Sequence, residues 1–229
     1  MPKTVLITGA NRGIGLSFTQ HYVKLGWRVI ASARNVAAAA ELQALAPWKI
    51  IALDTSNEQS ILDAAKALDN VPVDLLINNA GVLSSNGLAN TTKEDLMHQF
   101  EVNAVGPFLT TRAFLPNLRL AVKENGQAFV TQITSRMGSV DDNTSGGYYG
   151  YRASKTALNM ISTSLSKDLA ADKIGVLILH PGYVATAMTS NSGNITPDQS
   201  VENLTKIIDN AKLEDSGKFY HCEGYVLPW

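Results

Sequence analysis

Short, almost uninterrupted apolar runs alternate along the chain with longer stretches in which apolar residues recur every three to four positions. The runs fall at residues 5–7, 27–33, 50–53, 73–77, 128–133 and 176–179, with a last candidate at 218–220. An apolar run without alternation is the mark of a strand covered on both faces, and the helix-period stretches between the runs supply the covers. The pattern predicts an α/β fold, a doubly wound sandwich around a mostly or fully parallel seven-stranded sheet. Helix starts are marked by Thr55 or Ser56 ahead of Glu58 or Gln59, by Thr91 ahead of Glu94, and by Thr196-Pro197 ahead of Gln199. Gly26, Pro47 and Pro72 punctuate element ends, and Pro107 and Pro116 predict a bend or break in a long helical pattern running from Lys93 to about Val122. Three polar loops, 82–90, 136–147 and 183–194, each follow an expected strand. In a doubly wound sheet ligands bind beyond the carboxyl ends of the strands, so these loops should meet around one crevice.

Composition narrows the partners. The 229 residues, 45% of them hydrophobic, suit one domain spanning 1–229, without a repeat or linker. A formal charge of -1 with interspersed signs offers no basic stripe for nucleic acid and no basic amphipathic segment for a membrane surface, which leaves a small molecule as the expected partner. Cys222 is the single cysteine, so no intrachain disulfide can form, and the first residues lack a secretory signal pattern, which makes the cytoplasm the expected compartment. Four Asn-x-Ser/Thr triplets, beginning at Asn90, Asn143, Asn194 and Asn203, then carry no meaning for glycosylation.

The first run leads into Thr8-Gly9-Ala10-Asn11-Arg12-Gly13-Ile14-Gly15, ahead of a helix whose inner face includes Leu16, Val23 and Leu25. Glycines let backbone approach a pyrophosphate, and the helix N-terminus adds free N–H donors and a positive dipole end, so the loop reads as a phosphate cradle. The second run ends Ala31-Ser32-Ala33-Arg34, where an NAD site would place an acid for the ribose hydroxyl. Arg34 and Arg12 stand there instead and suit a 2′-phosphate, which points to NADP(H).

Tyr151 and Lys155 lie four apart at the start of a periodic segment continuing through Leu158, Ile161 and Leu165. That spacing puts both on one helix face, where an ammonium could favour the phenolate and fit the tyrosine for proton transfer to a carbonyl oxygen. Tyr-x-x-x-Lys on its own is equally a common surface pair. Tyr148 and Tyr149 lack the spacing. His221, Cys222 and Glu223 are consecutive and would alternate across a strand, so no metal site is expected. His21, His98 and His180 read as packing or surface residues, and Tyr183 and Met188 as either pocket wall or core.

Taken together, the Thr8 to Gly15 loop, Asn78-Asn79-Ala80-Gly81, Asn103, Ser135, Tyr151 with Lys155, and Pro181-Gly182 make the chain resemble the short-chain dehydrogenase/reductase family from Lys3 to Trp229. The resemblance implies a Rossmann-like fold and a set of roles. Tyr151 would be the general acid/base, Ser135 the hydroxyl that orients the substrate carbonyl, Lys155 the group that binds the nicotinamide ribose and lowers the tyrosine pKa, and Asn103 the holder of a relay water. Cofactor contacts would come from Gly9, Asn11, Arg12, Gly13, Ile14, Gly15 and Arg34. Asp54 would meet the adenine, Asn78 to Gly81 would line the adenosine side and steady the central sheet, with Asn78, Ala80 and Gly81 as cofactor contacts, and Pro181, Gly182, Val184 and Thr186 would meet the carboxamide side. Fifteen residues between Ser135 and Tyr151 exceed the family's usual spacing, and the short segment after Pro181-Gly182 implies a small lid over an open pocket. The closing Gly224-Tyr225-Val226-Leu227-Pro228-Trp229 is similar to the sniffer and C-factor branch, whose members are described as carbonyl reductases or as signalling proteins. The expected function is NADPH-dependent reduction of an aldehyde or ketone, or its reversal on an alcohol, by a homodimer or homotetramer. The alternative is an NADP(H)-binding regulatory or signalling module with little turnover.

Overall fold

The computed structural model describes residues 2–229. Seven strands form one sheet in the order β3-β2-β1-β4-β5-β6-β7. They are β1 (Thr4–Ile7), β2 (Arg28–Ala33), β3 (Lys49–Ala52), β4 (Leu75–Asn78), β5 (Ala128–Ile133), β6 (Ile174–His180) and β7 (Phe219–His221). Every pairing is parallel, and the register sets Leu6 beside both Ile30 and Leu76, and Val130 beside both Leu76 and Val176. Successive strand residues point to opposite faces, and both faces are buried. Val5, Ile7, Leu75, Ile77 and Phe129 enter one core cluster, while Leu6, Leu76, Ala128 and Val130 enter the other. This double burial is the reason the strand runs show no polar alternation.

The covering helices are α1 (Gly13–Lys24), α2 (Ala40–Ala44), α3 (Glu58–Ala67), α4 (Lys93–Phe100), α5 (Gly106–Ala113), α6 (Leu115–Asn125), α7 (Tyr149–Asp168) and α8 (Pro197–Asn210). Chain order reverses between β1 and β4, so the crevice opens beyond the carboxyl ends of these two strands.

Several boundaries differ from the sequence expectations by a residue or two. β4 begins at Leu75, because the Val73 N–H donates to the Asn117 carbonyl and the Asp74 carboxylate accepts from the Thr4 N–H at 2.7 Å. β2 begins at Arg28, β3 spans Lys49–Ala52, β6 spans Ile174–His180, and β7 is Phe219–His221. Asn57, rather than Thr55 or Ser56, caps α3 by accepting from the Ser60 N–H. Thr92, rather than Thr91, forms a capping box with Asp95 on α4, while Thr196 and Gln199 form the expected box on α8. The long helical pattern breaks at Phe114, just before Pro116 near the start of α6. Ahead of Pro107 it does not break, because α4 passes through a π-helical turn, Glu101–Val105, directly into α5.

Candidate functional site

A cleft of about 380 Å³ lies at the switch point. Its phosphate end is built from the loop between β1 and α1, where Gly9 (φ +64°) and Gly13 (φ +52°) hold left-handed backbone that favours glycine. The loop is braced from β4. The Thr8 hydroxyl oxygen accepts from the Asn79 and Ala80 N–H groups at 2.9 and 3.1 Å, and Asn79 Nδ2 donates to the Thr8 and Gly9 carbonyls at 2.9 and 3.1 Å. Gly9, Asn11, Arg12, Gly13 and Ile14 line the cleft as expected, with Arg34 and Asp54 at the adenosine side. Arg12 and Arg34 are exposed, and neither has a carboxylate within ion-pair distance among the described residues. Asp54 Oδ1 accepts from both the Ser56 N–H and the Ser56 hydroxyl, which leaves its other oxygen for a ligand.

The opposite wall comes from β6 and the segment after it. Pro181 and Thr186 line it, and Thr186 faces Gly13 closely enough that a Cβ there would meet its Cγ2 at 3.4 Å. The lid is small and self-fastened. Val184 pairs with Ile195, the Thr189 hydroxyl donates to the Val184 carbonyl at 2.7 Å, and any side chain on Gly193 would collide with the Ala185 backbone. Met188 lines the cleft, whereas Tyr183 is outside it and half exposed.

The reactive end joins β5 to α7. Ser135, just past β5, stands beside the Tyr151 phenol in the first turn of α7, near enough to favour its phenolate, and its Oγ accepts from the Met137 N–H at 3.1 Å. Lys155 is buried one turn on, and its Nζ donates to the Ile133 carbonyl at 2.9 Å. Burial pushes the Tyr151 pKa up to about 12, with the neighbouring Ser135 hydroxyl pulling the other way. Burial also brings Lys155 down to about 8. The expected depression of the tyrosine pKa by the lysine is therefore corrected. The ammonium is turned to Ile133, 5.8 Å from the Tyr151 ring centroid, and desolvation of the phenolate dominates.

Six of the expected residues do not line the cleft. Asn78 is buried, with Nδ2 donating to Thr111 Oγ1 at 3.1 Å and to the Pro107 carbonyl at 3.4 Å, so it braces α5 against the sheet, in keeping with the sheet-steadying role expected of this stretch. Gly15 is a packing glycine, since a Cβ there would collide with the Gly9 carbonyl. Gly182 (φ +87°) packs on Ile195 and Cys222, and Val184 pairs with Ile195 at the lid's base. Ser135 reaches the site through Tyr151. Asn103 is fully buried in the π turn, where its amide spans the Val82 N–H and carbonyl, both at 2.9 Å, and donates to Ser154 Oγ at 3.0 Å. Asn79 lines the cleft together with Ala80 and Gly81, and sequence reasoning missed Val82, which directly follows that stretch. No cluster of metal-ligating side chains occurs among the described residues, and no helix there is long and apolar enough to cross a membrane.

Comparison with known proteins places this geometry. The family model described as short chain dehydrogenase matches residues 3–196, and the chain belongs to that family. Among curated relatives, the 1-hydroxy-2-glutathionyl-2-methyl-3-butene dehydrogenase of Rhodococcus sp. (strain AD45) is 37% identical over 99% of this chain and 100% of its own. The C-signal of Myxococcus xanthus is 41% identical over 69% of this chain and 93% of its own. Among solved structures, the NADPH-bound carbonyl reductase from chicken fatty liver superposes with a TM-score of 0.94 at 36% identity, covering 100% of this chain and 99% of that one. The carbonyl reductase Sniffer of D. melanogaster gives 0.94 at 30% identity and 100% coverage of both.

Proposed function

We propose that the protein is an NADP(H)-dependent reductase of aldehyde and ketone carbonyls acting in the cytoplasm. The observation that carries this reading is the buried Ser135, Tyr151 and Lys155 cluster, set at one end of a cleft whose other end presents two unpaired arginines. The glycine cradle, the Asp54 side chain and the Thr186 wall fit a dinucleotide, and Arg12 with Arg34 fit its 2′-phosphate. The chicken carbonyl reductase was solved with NADPH, and the Rhodococcus relative is named as the dehydrogenase of a hydroxy compound, which supports reading the site for reduction and for its reverse.

Bound NADPH would supply the hydride. Tyr151 holds its proton at neutral pH, because its pKa lies near 12, and it donates from Oη to the carbonyl oxygen as negative charge develops there. Ser135 Oγ, next to the Tyr151 phenol, would orient the carbonyl and stabilise that charge. Lys155, within one helical turn, would provide the positive charge that holds the ribose. The Asn103 amide is fully engaged with Val82 and Ser154, so a water held at this residue would bind its main-chain carbonyl.

NADPH oxidation followed with a panel of small aldehydes, ketones and diketones tests the reading. Tyr151→Phe is expected to lose about a hundredfold or more in rate while still binding NADPH; an unchanged rate removes Tyr151 from the chemistry. The likeness to C-signal supports a second reading, a regulatory NADP(H)-binding module. NADPH binding without turnover of any carbonyl would favour it, whereas the complete Ser-Tyr-Lys cluster favours the enzyme. The exposed apolar side chains Leu96, Met97 and Phe100 on α4 and Met160 on α7 suit a homodimer or homotetramer.

A further inference from the structure

Asp95, Gln99 and Asn103 follow one another at four-residue spacing along α4 and the π turn, on one helical face. The segment leaving β4 meets them at two-residue spacing in the opposite direction. The Val82 N–H donates to Asn103 Oδ1 at 2.9 Å, the Ser84 N–H to Gln99 Oε1 at 3.0 Å, and Asn86 Nδ2 to Asp95 Oδ2 at 2.7 Å. Four helical residues advance about 6 Å and two extended residues about 6.6 Å, so the two spacings stay in step for three contacts. The loop that walls the cleft at Val82 is thus held by a side-chain ladder, with Gln99 as its middle rung.

Gln99 also backs the catalytic helix. It is 1% exposed, and its Nε2 stands where any side chain on Gly150 would have to go. Gly150 is the residue before Tyr151. The neighbouring rung, Asn103, reaches the same turn through Ser154, whose hydroxyl donates to the Tyr151 carbonyl at 2.8 Å. A buried amide that accepts from one wall of the cleft and abuts the other fixes the gap between them, and removing it leaves the Ser84 N–H without its acceptor.

We propose that Gln99 is a positioning residue for Tyr151, setting the distance between the 82–86 wall and the first turn of α7. It touches neither cofactor nor the reacting atoms, and its role rests on the reductase reading of the site. Gln99→Met keeps the length of the side chain and removes the acceptor, while Gln99→Glu keeps an acceptor for the Ser84 N–H. With Gln99→Met, kcat for carbonyl reduction is expected to fall about ten- to hundredfold, as small misplacements of a catalytic group do. The NADPH dissociation constant should change less than about twofold, and hydrogen exchange at the Ser84 amide should quicken while the β4 amides stay protected. Gln99→Glu should recover part of the lost kcat. A folded Gln99→Met protein that binds NADPH normally and keeps kcat within about twofold of native overturns the proposal. If Gln99→Met fails to fold, Gln99→Glu with a native rate and fast Ser84 exchange overturns it equally. Should the native protein reduce no carbonyl, the reductase reading falls, and Ser84 exchange, which needs no turnover, still decides whether Gln99 holds the loop.

Discussion

Lys155 is carried into the interior with a single polar contact, the Ile133 carbonyl, and its pKa falls from 10.5 to about 8 because burial disfavours the ammonium. The unfolded chain therefore binds more protons than the folded one between these two values. Stability tied to this residue is lowest below pH 8, rises through the window, and is fully recovered above 10.5. Lys155→Met is expected to add about 1–3 kcal/mol at pH 7 and abolish turnover, with the gain shrinking as pH rises from 8 toward 10.5; thermal melts across that range check it. At the other end of the cleft, Arg12 and Arg34 have no competing acid, and each charge-assisted bond to a phosphate contributes about 1.5–3 kcal/mol. Arg12→Ala and Arg34→Ala should each weaken NADPH binding about tenfold or more and leave NADH nearly unchanged, as measured by fluorescence titration. Tyr151, Lys155 and the arginines were legible as residue types at a spacing. The lysine's orientation toward Ile133 was not, because it depends on a β5 carbonyl that no local pattern announces.

Between β5 and α7, a short 3₁₀ turn (Arg136–Gly138) lies against the catalytic helix, and a Cβ on Gly138 would sit 2.8–3.0 Å from the backbone and Cβ of Lys155. The Gly138 carbonyl also accepts from Thr156 Oγ1 at 2.9 Å and from Asn159 Nδ2 at 3.3 Å, so the turn cannot shift without losing bonds. Gly138→Ala is expected to part Ser135 from Tyr151 and reduce kcat about ten- to hundredfold with little change in NADPH affinity; steady-state kinetics beside a binding titration tests the split. Among the elements, the strands were readable because each is apolar on both faces. Helix starts slipped by a residue or two where polar neighbours compete, as in Thr55-Ser56-Asn57 and Thr91-Thr92, since every one of these side chains can cap and only the incoming backbone selects. The π turn carries no sequence marker. Asn103 was reached through family resemblance, and Gln99, a lone amide on a polar helix, carries no pattern that singles it out.

At the scale of the molecule, one parallel sheet buried on both faces makes the doubly wound order the economical arrangement, which is why the fold could be stated from the run pattern before any site was considered. Self-association was less legible, because single exposed apolar residues are ordinary in a sequence and only the fold shows Leu96, Met97 and Phe100 on α4, an element packed beside α7. Sedimentation velocity is expected to give a dimer or tetramer, with Met97→Asp shifting the population toward monomer while the melting transition stays cooperative. A monomer at all concentrations would leave that surface for another purpose. The parallel sheet has one more consequence. All seven strands point the same way, and the cleft lies beyond their carboxyl ends, so Lys3, just ahead of β1, lies at the far pole from the chemistry. A support coupled through that pole would display every molecule with its mouth turned to the bulk solution, which makes this chain suited to oriented immobilisation in a flow reactor.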